Sequence, residues 1–176
     1  MSLDRYSDFF QAAEAAGWHI RIRDEAALCL KNPVQERYPR LPEEYLTFLS
    51  WVARCTNPDE TAWFLCEEDY NGQSDSAFQW NEWELQSLEA AQGDDEWKNS
   101  IRAFWNTHFP IFLSVKSGYA YLAICVSETD YGAVVCGSEP EYEETQKIAD
   151  SFQGLLPLLT QIHLHGRTFP ALAGLF

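Results

Sequence analysis

The chain has 176 residues, 46% of them hydrophobic, and carries 27 acidic against 12 basic side chains for a formal net charge of −15. Seven Trp, eight Tyr and eleven Phe supply a core and exclude disorder, and a chain of this length forms one domain that buries roughly 70% of its unfolded surface. The charge repels phosphate backbones and anionic bilayers, which excludes nucleic acid and membrane surfaces as direct partners.

In chain order, residues 4–16 predict a helix rich in Ala and stopped by Gly17. Residues 18–23 alternate apolar and charged side chains, the pattern of a strand with one buried face. Asp24 is placed to cap a helix over residues 25–30 that ends before Asn32-Pro33. The clearest helical pattern covers residues 41–55. There Pro42 suits the first turn, Glu43 and Glu44 complement the positive end of the dipole, and Arg54 sits near the negative end. Leu41, Tyr45, Phe48, Leu49 and Val52 form its apolar stripe. Residues 63–66 read as a short strand and residues 69–76, with Asn71-Gly72, as turn chemistry.

Residues 83–91 and 97–105 read as helices around Gly93-Asp94-Asp95, the second with Trp97, Ile101, Phe104 and Trp105 on one stripe. Runs at 111–115, 119–126 and 132–136 predict a three-strand antiparallel meander. A last helix follows Pro140, with Ile148, Phe152, Leu155, Leu156 and Leu159 on its apolar face. No repeat or linker divides the chain. The expected fold is one α+β domain over 1–176, a mostly antiparallel or mixed sheet with a C-terminal meander, flanked by helices.

The charge falls in blocks. Residues 1–40 are balanced, residues 41–100 carry fourteen acids against Arg54 and Lys98, and residues 101–176 carry seven acids and four bases. Such a block marks either a solvated face or an interaction surface. In it, Trp63, Phe64 and Trp97 fit a core. Tyr70, Phe78, Trp80 and Trp83 stand in polar, turn-like surroundings where full burial is harder to arrange. The candidate partner-binding set is therefore Glu67, Glu68, Asp69, Tyr70, Asp75, Trp80, Glu82 and Trp83. Trp and Tyr anchor protein interfaces, and acidic neighbours select a basic partner.

Catalytic signatures are missing. There is no nucleophile elbow, phosphate loop, dinucleotide fingerprint or zinc-protease helix. The run Asp69-x-Asn71-x-Gln73 fails as a calcium loop because Ser74 holds the glycine position and Trp80 the glutamate position. His163 and His165, two apart on the tail of a helix, diverge and do not share a metal. Five cysteines (Cys29, Cys55, Cys66, Cys125, Cys136) without a C-x-x-C pair fit buried thiols in a reducing compartment. No signal core opens the sequence and no uncharged run spans a bilayer. The expectation is a cytoplasmic protein with no cofactor, no metal and no enzymatic activity, a monomer or weak homodimer whose apolar tail (Phe169, Leu172, Leu175, Phe176) docks on its own core or on a second copy, the first at less entropic cost.

Leu41-Pro42-Glu43-Glu44-Tyr45-Leu46-Thr47-Phe48-Leu49 resembles the Leu-Pro-x-x-Tyr-x-x-Phe-Leu helix of the SUKH immunity-protein superfamily, whose core member is the Smi/Knr domain. Residues 111–115 and 119–126 around Gly118 resemble its paired strands, and Gly132-Ala133-Val134 its next strand. Ile148-Ala149-Asp150-Ser151-Phe152 with Leu155-Leu156 resembles its closing helix. The likeness covers residues 36–160 and departs where many members carry Asn-Gly-Gly and this chain has Thr56-Asn57-Pro58-Asp59. It implies a bacterial immunity protein that binds and neutralises a polymorphic or contact-dependent toxin, and it carries over no catalytic residue. An acidic domain suits a basic, nuclease-type toxin. The alternatives are a regulatory or scaffolding adaptor, as the yeast cell-wall branch suggests, and a small hydrolase using a cysteine or histidine.

Overall fold

A computed structural model describes residues 3–176; Met1 and Ser2, the start of the stretch read as lacking a signal core, lie outside the described residues. The fold is α+β: seven strands form one antiparallel sheet whose spatial order equals their order in the chain. The strands are β1 (His19–Ile22), β2 (Val52–Thr56), β3 (Ala62–Phe64), β4 (His108–Ser114), β5 (Ala120–Cys125), β6 (Val134–Ser138) and β7 (Gln146–Ala149). The helices are α1 (Ser7–Ala15), α2 (Asn32–Arg37), α3 (Glu43–Trp51), α4 (Glu67–Tyr70), α5 (Glu82–Ala90), α6 (Asp95–Trp105) and α7 (Phe152–His165). No helix among the described residues is long and apolar enough to cross a membrane.

All six residues of β5, and all of β4 after His108, are buried, so helices cover both faces of the central sheet. On one face Phe48 of α3 meets Tyr6, Phe10, Phe64 and Phe152 with ring centroids 5.0–6.2 Å apart, which locks α1, α3, β3 and α7 together. On the other, Tyr121 of β5 lies between Trp83 of α5 and Trp105 of α6, 5.1 and 5.0 Å away. Its partner across the ladder is Gly137, where a Cβ would stand 2.6 Å from the Tyr121 ring. Only a residue without a side chain admits that ring.

Several sequence expectations give way. Residues 24–30 are not helical. Arg23 N–H donates to the Trp51 carbonyl and Ala27 N–H to that of Ser50, and the helix starts instead at Asn32, where Pro33 fills a first-turn position that needs no N–H. The helix expected over 41–55 is α3 alone. Val52 opens β2, which pairs with β1 and places Arg54 opposite Arg21 rather than at a helix end. Ile148 belongs to β7, and the last helix begins only after Ser151, whose hydroxyl caps Gly154 N–H. Within 69–76 the first residues are the end of α4 and the turn follows. Trp97, placed in the core by its stripe, is 46% exposed, and Trp63 is half-buried.

The apolar tail folds back on its own chain. Leu172 and Leu175 are buried, and Phe176 packs on Phe112 and Trp18. His163 of α7 is enclosed by Phe9, Trp18 and Phe176, its Nε2 buried without a hydrogen-bond partner. Burial holds its pKa down at about 4. A folded-state value below the unfolded one means the unfolded chain takes the proton first as pH falls. The stabilisation is complete above about pH 6.5 and drains toward pH 4 by about 2 kcal/mol, allowing for partial solvent access. Urea titrations at pH 7 and pH 4.5 should show wild type losing more stability than His163→Leu; equal losses would remove His163 from the acid response.

Candidate functional site

A cavity of about 500 Å³ opens where the helical cover of the second face runs out. Cross-strand partners share a face of the sheet, and the register Arg21↔Arg54, Thr56↔Trp63, Trp63↔Leu113, Leu113↔Tyr121 defines one surface from β1 to β5. Trp83 and Trp105 cover its Tyr121 end. Its β1–β3 end is walled instead by α4 and the following loop, which contribute Glu68, Asp69, Ser74, Asp75 and Ser76. Glu60 enters from the β2–β3 turn, at a positive φ of 55°.

The floor of this cleft is unusual for an acidic protein. Arg21 and Arg54 face each other across the ladder, an arrangement that like charges disfavour. Each is offset by a carboxylate: Arg21 Nη2 lies 3.6 Å from Glu68, and Arg54 Nη2 2.7 Å from Glu60. All four of these side chains are more than half exposed, so each pair contributes at most about 1 kcal/mol. Asp69 is different. Its Oδ2 accepts the Cys66 N–H at 2.7 Å, closing the first turn of α4, and burial raises its pKa. Asp75 is exposed, with no ion pair or hydrogen bond among the described residues.

The eight candidate residues therefore separate. Glu68, Asp69 and Asp75 meet in the cleft. Glu67 turns away and pairs with Arg23 at 2.9 Å. Glu82 caps the chain ahead of α5, accepting the Gln79 N–H at 3.2 Å. Trp80 is half-buried against Tyr38 and Tyr70. Tyr70 and Trp83, expected at the surface, are 3% and 0% exposed. Tyr70 donates to the Pro110 carbonyl at 2.7 Å and shares a 2.8 Å hydrogen bond with Tyr45. Trp83 stacks on Trp105 with its Nε1 buried and unpartnered. Polar neighbours in sequence say nothing about one residue's orientation. The spacing Trp83, Ser87, Ala91, all buried, is the helical stripe that would have found it.

Three features escape sequence reasoning. Trp97 is the exposed aromatic of the acidic block, at the third position of α6 beside exposed Asp94, Asp95 and Glu96. Trp63 lines the cleft. Arg37 forms a two-pronged pair with buried Glu84, at 2.6 and 2.8 Å. No group of three or more metal-ligating side chains occurs among the described residues. No protein-family model, no curated protein and no solved structure matches this chain.

Proposed function

We propose that the chain is a binding protein rather than an enzyme: an immunity protein of the SUKH type that neutralises a cognate bacterial toxin, covering a basic, nuclease-type domain with an acidic aromatic surface. The observation that carries this reading is the fate of the surplus charge. Of the fourteen acids in residues 41–100, nine are exposed (Glu43, Asp59, Glu60, Glu68, Asp75, Glu89, Asp94, Asp95 and Glu96), and seven of these run from Glu60 in the β2–β3 turn to Glu96 in α6. Exposed Trp97 and half-buried Trp63 and Trp80 supply the aromatic part in place of Tyr70 and Trp83. Such a surface steers a basic partner and speeds its encounter.

The hydrolase alternative is weakened at the buried thiols. Burial pushes Cys55 and Cys66 well up and Cys125 to about 11, whereas an activated nucleophile needs a lowered pKa. The test is rescue: cells expressing toxin domains from the same genome, with and without this chain, followed by kinetics on the rescuing pair. One toxin should be neutralised, with an association rate that falls about ten-fold between about 0.02 M and about 0.2 M salt. A salt-independent rate would remove the electrostatic part. Rescue of no toxin would leave the adaptor reading in its place.

A further inference from the structure

We propose that the cleft over β1–β3 receives an arginine side chain of the chain's protein partner, stacked on Trp63 and gripped by the surrounding carboxylates; this deepens, and rests on, the binding reading above. The cavity of about 500 Å³ is large enough for a side chain with its flanking backbone. Its lining sets the carboxylates of Glu60, Glu68, Asp69 and Asp75 against the guanidiniums of Arg21 and Arg54, an excess of two negative charges that selects a cation. The half-buried Trp63 ring, braced by Phe78 at 6.0 Å, offers a π face beside those charges.

The arginines fit the same reading. Opposed across a ladder, two like charges repel unless each is offset, as these are by Glu68 and Glu60. Their use is to hold Glu68 and Glu60 at the cleft wall through exposed, exchangeable pairs, so that either carboxylate can turn to an incoming guanidinium with little loss. Asp75 has no competing partner to give up. Asp69 is a partly desolvated carboxylate whose burial already disfavours its charge, so a nearby cation relieves it. Arginine is favoured over lysine because acceptors surround the site. The Thr56, Ser74 and Ser76 hydroxyls stand with the carboxylates, matching a planar fork of five donors that also stacks flat on indole.

The experiment is a titration of the full chain, labelled with nitrogen-15, by the capped tripeptide acetyl-Gly-Arg-Gly-amide, watching the Trp63 indole N–H as assigned with Trp63→Phe. A saturable shift is expected with a dissociation constant of about 1–10 mM. Glu60→Gln/Asp75→Asn, at two exposed positions, should weaken it about three- to ten-fold, while Glu141→Gln, at an exposed position between β6 and β7 and outside the cleft, leaves it unchanged. The citrulline peptide, equal in shape but uncharged, should not move the indole. The proposal is overturned by the absence of a saturable shift, by a lysine peptide that binds as tightly, by a response to the glutamate peptide, or by unchanged affinity in the double variant. A rescued toxin that binds the double variant as tightly as wild type also overturns it, with the binding reading intact. Arginine binding in the cleft without rescue of any toxin sustains the cleft and removes the toxin.

Discussion

Replacing Arg37 by methionine is expected to lower the unfolding free energy by about 3–5 kcal/mol, since it strands a buried carboxylate. The Glu84 side chain is 8% exposed and that of Arg37 23%, so the carboxylate, unlike the guanidinium, has little bulk water as an alternative partner. Arg37 also donates through Nε to Asn106 Oδ1 at 3.0 Å, joining α2, α5 and the corner between α6 and β4. The cost lies in the charge left behind rather than in the pair itself. The double variant Arg37→Met/Glu84→Leu should therefore recover most of the loss, because a buried pair and a well-packed apolar replacement are close to neutral. Urea unfolding of the two single variants and the double gives the coupling directly. A single-variant loss below about 1 kcal/mol would mean water reaches Glu84 and solvates it.

Phe48→Ala is the second large effect, about 3–5 kcal/mol from lost transfer energy plus the cavity. Phe48 is 0% exposed, and its ring lies against Tyr6, Phe10, Tyr45, Phe64 and Phe152, residues of four elements and the 3-10 turn ahead of α1. Aromatic walls fixed from several directions do not collapse into a hole, so the value should fall at the upper end. Thermal and urea denaturation of Phe48→Ala beside Trp97→Ala make the comparison internal. The exposed Trp97 should stay within about 0.5 kcal/mol of wild type. Similar losses at the two positions would contradict the packing described.

The fold was legible where one local signal stood alone. Gly17, at φ 84°, ends α1 as its sequence position implies, and the β-branched and aromatic runs of β4, β5 and β6 announce the meander. The errors arose where two signals overlap. The stripe Tyr45, Phe48, Leu49, Val52 continues at helical spacing into a residue that pairs with Ile22, and no Gly or Pro separates α3 from β2. In β7, Gln146 and Lys147 carry no strand signal, and β6 alone recruits them. At the candidate site, composition found the acidic, aromatic segment but not its orientation. Trp97 follows so soon after the Asp94 cap that its side chain stays outside the packed part of α6. Arg37 and Glu84 lie 47 positions apart, and only the completed fold brings them together.

A sheet whose spatial order is its chain order has a consequence for how it is made. Most ladders join neighbours in sequence, so β4, β5 and β6 can zip as local hairpins with little loop closure, and relative contact order is low for so many strands. The exceptions are β1 with β2, which meet across residues 23–51, and β3 with β4, which can meet only after residues 65–107 have been looped out. Loop-closure entropy grows only logarithmically with length. The second excursion, which holds α4, α5 and α6 and six exposed acidic residues, can therefore lengthen or diverge while the ladder beneath it assembles unchanged.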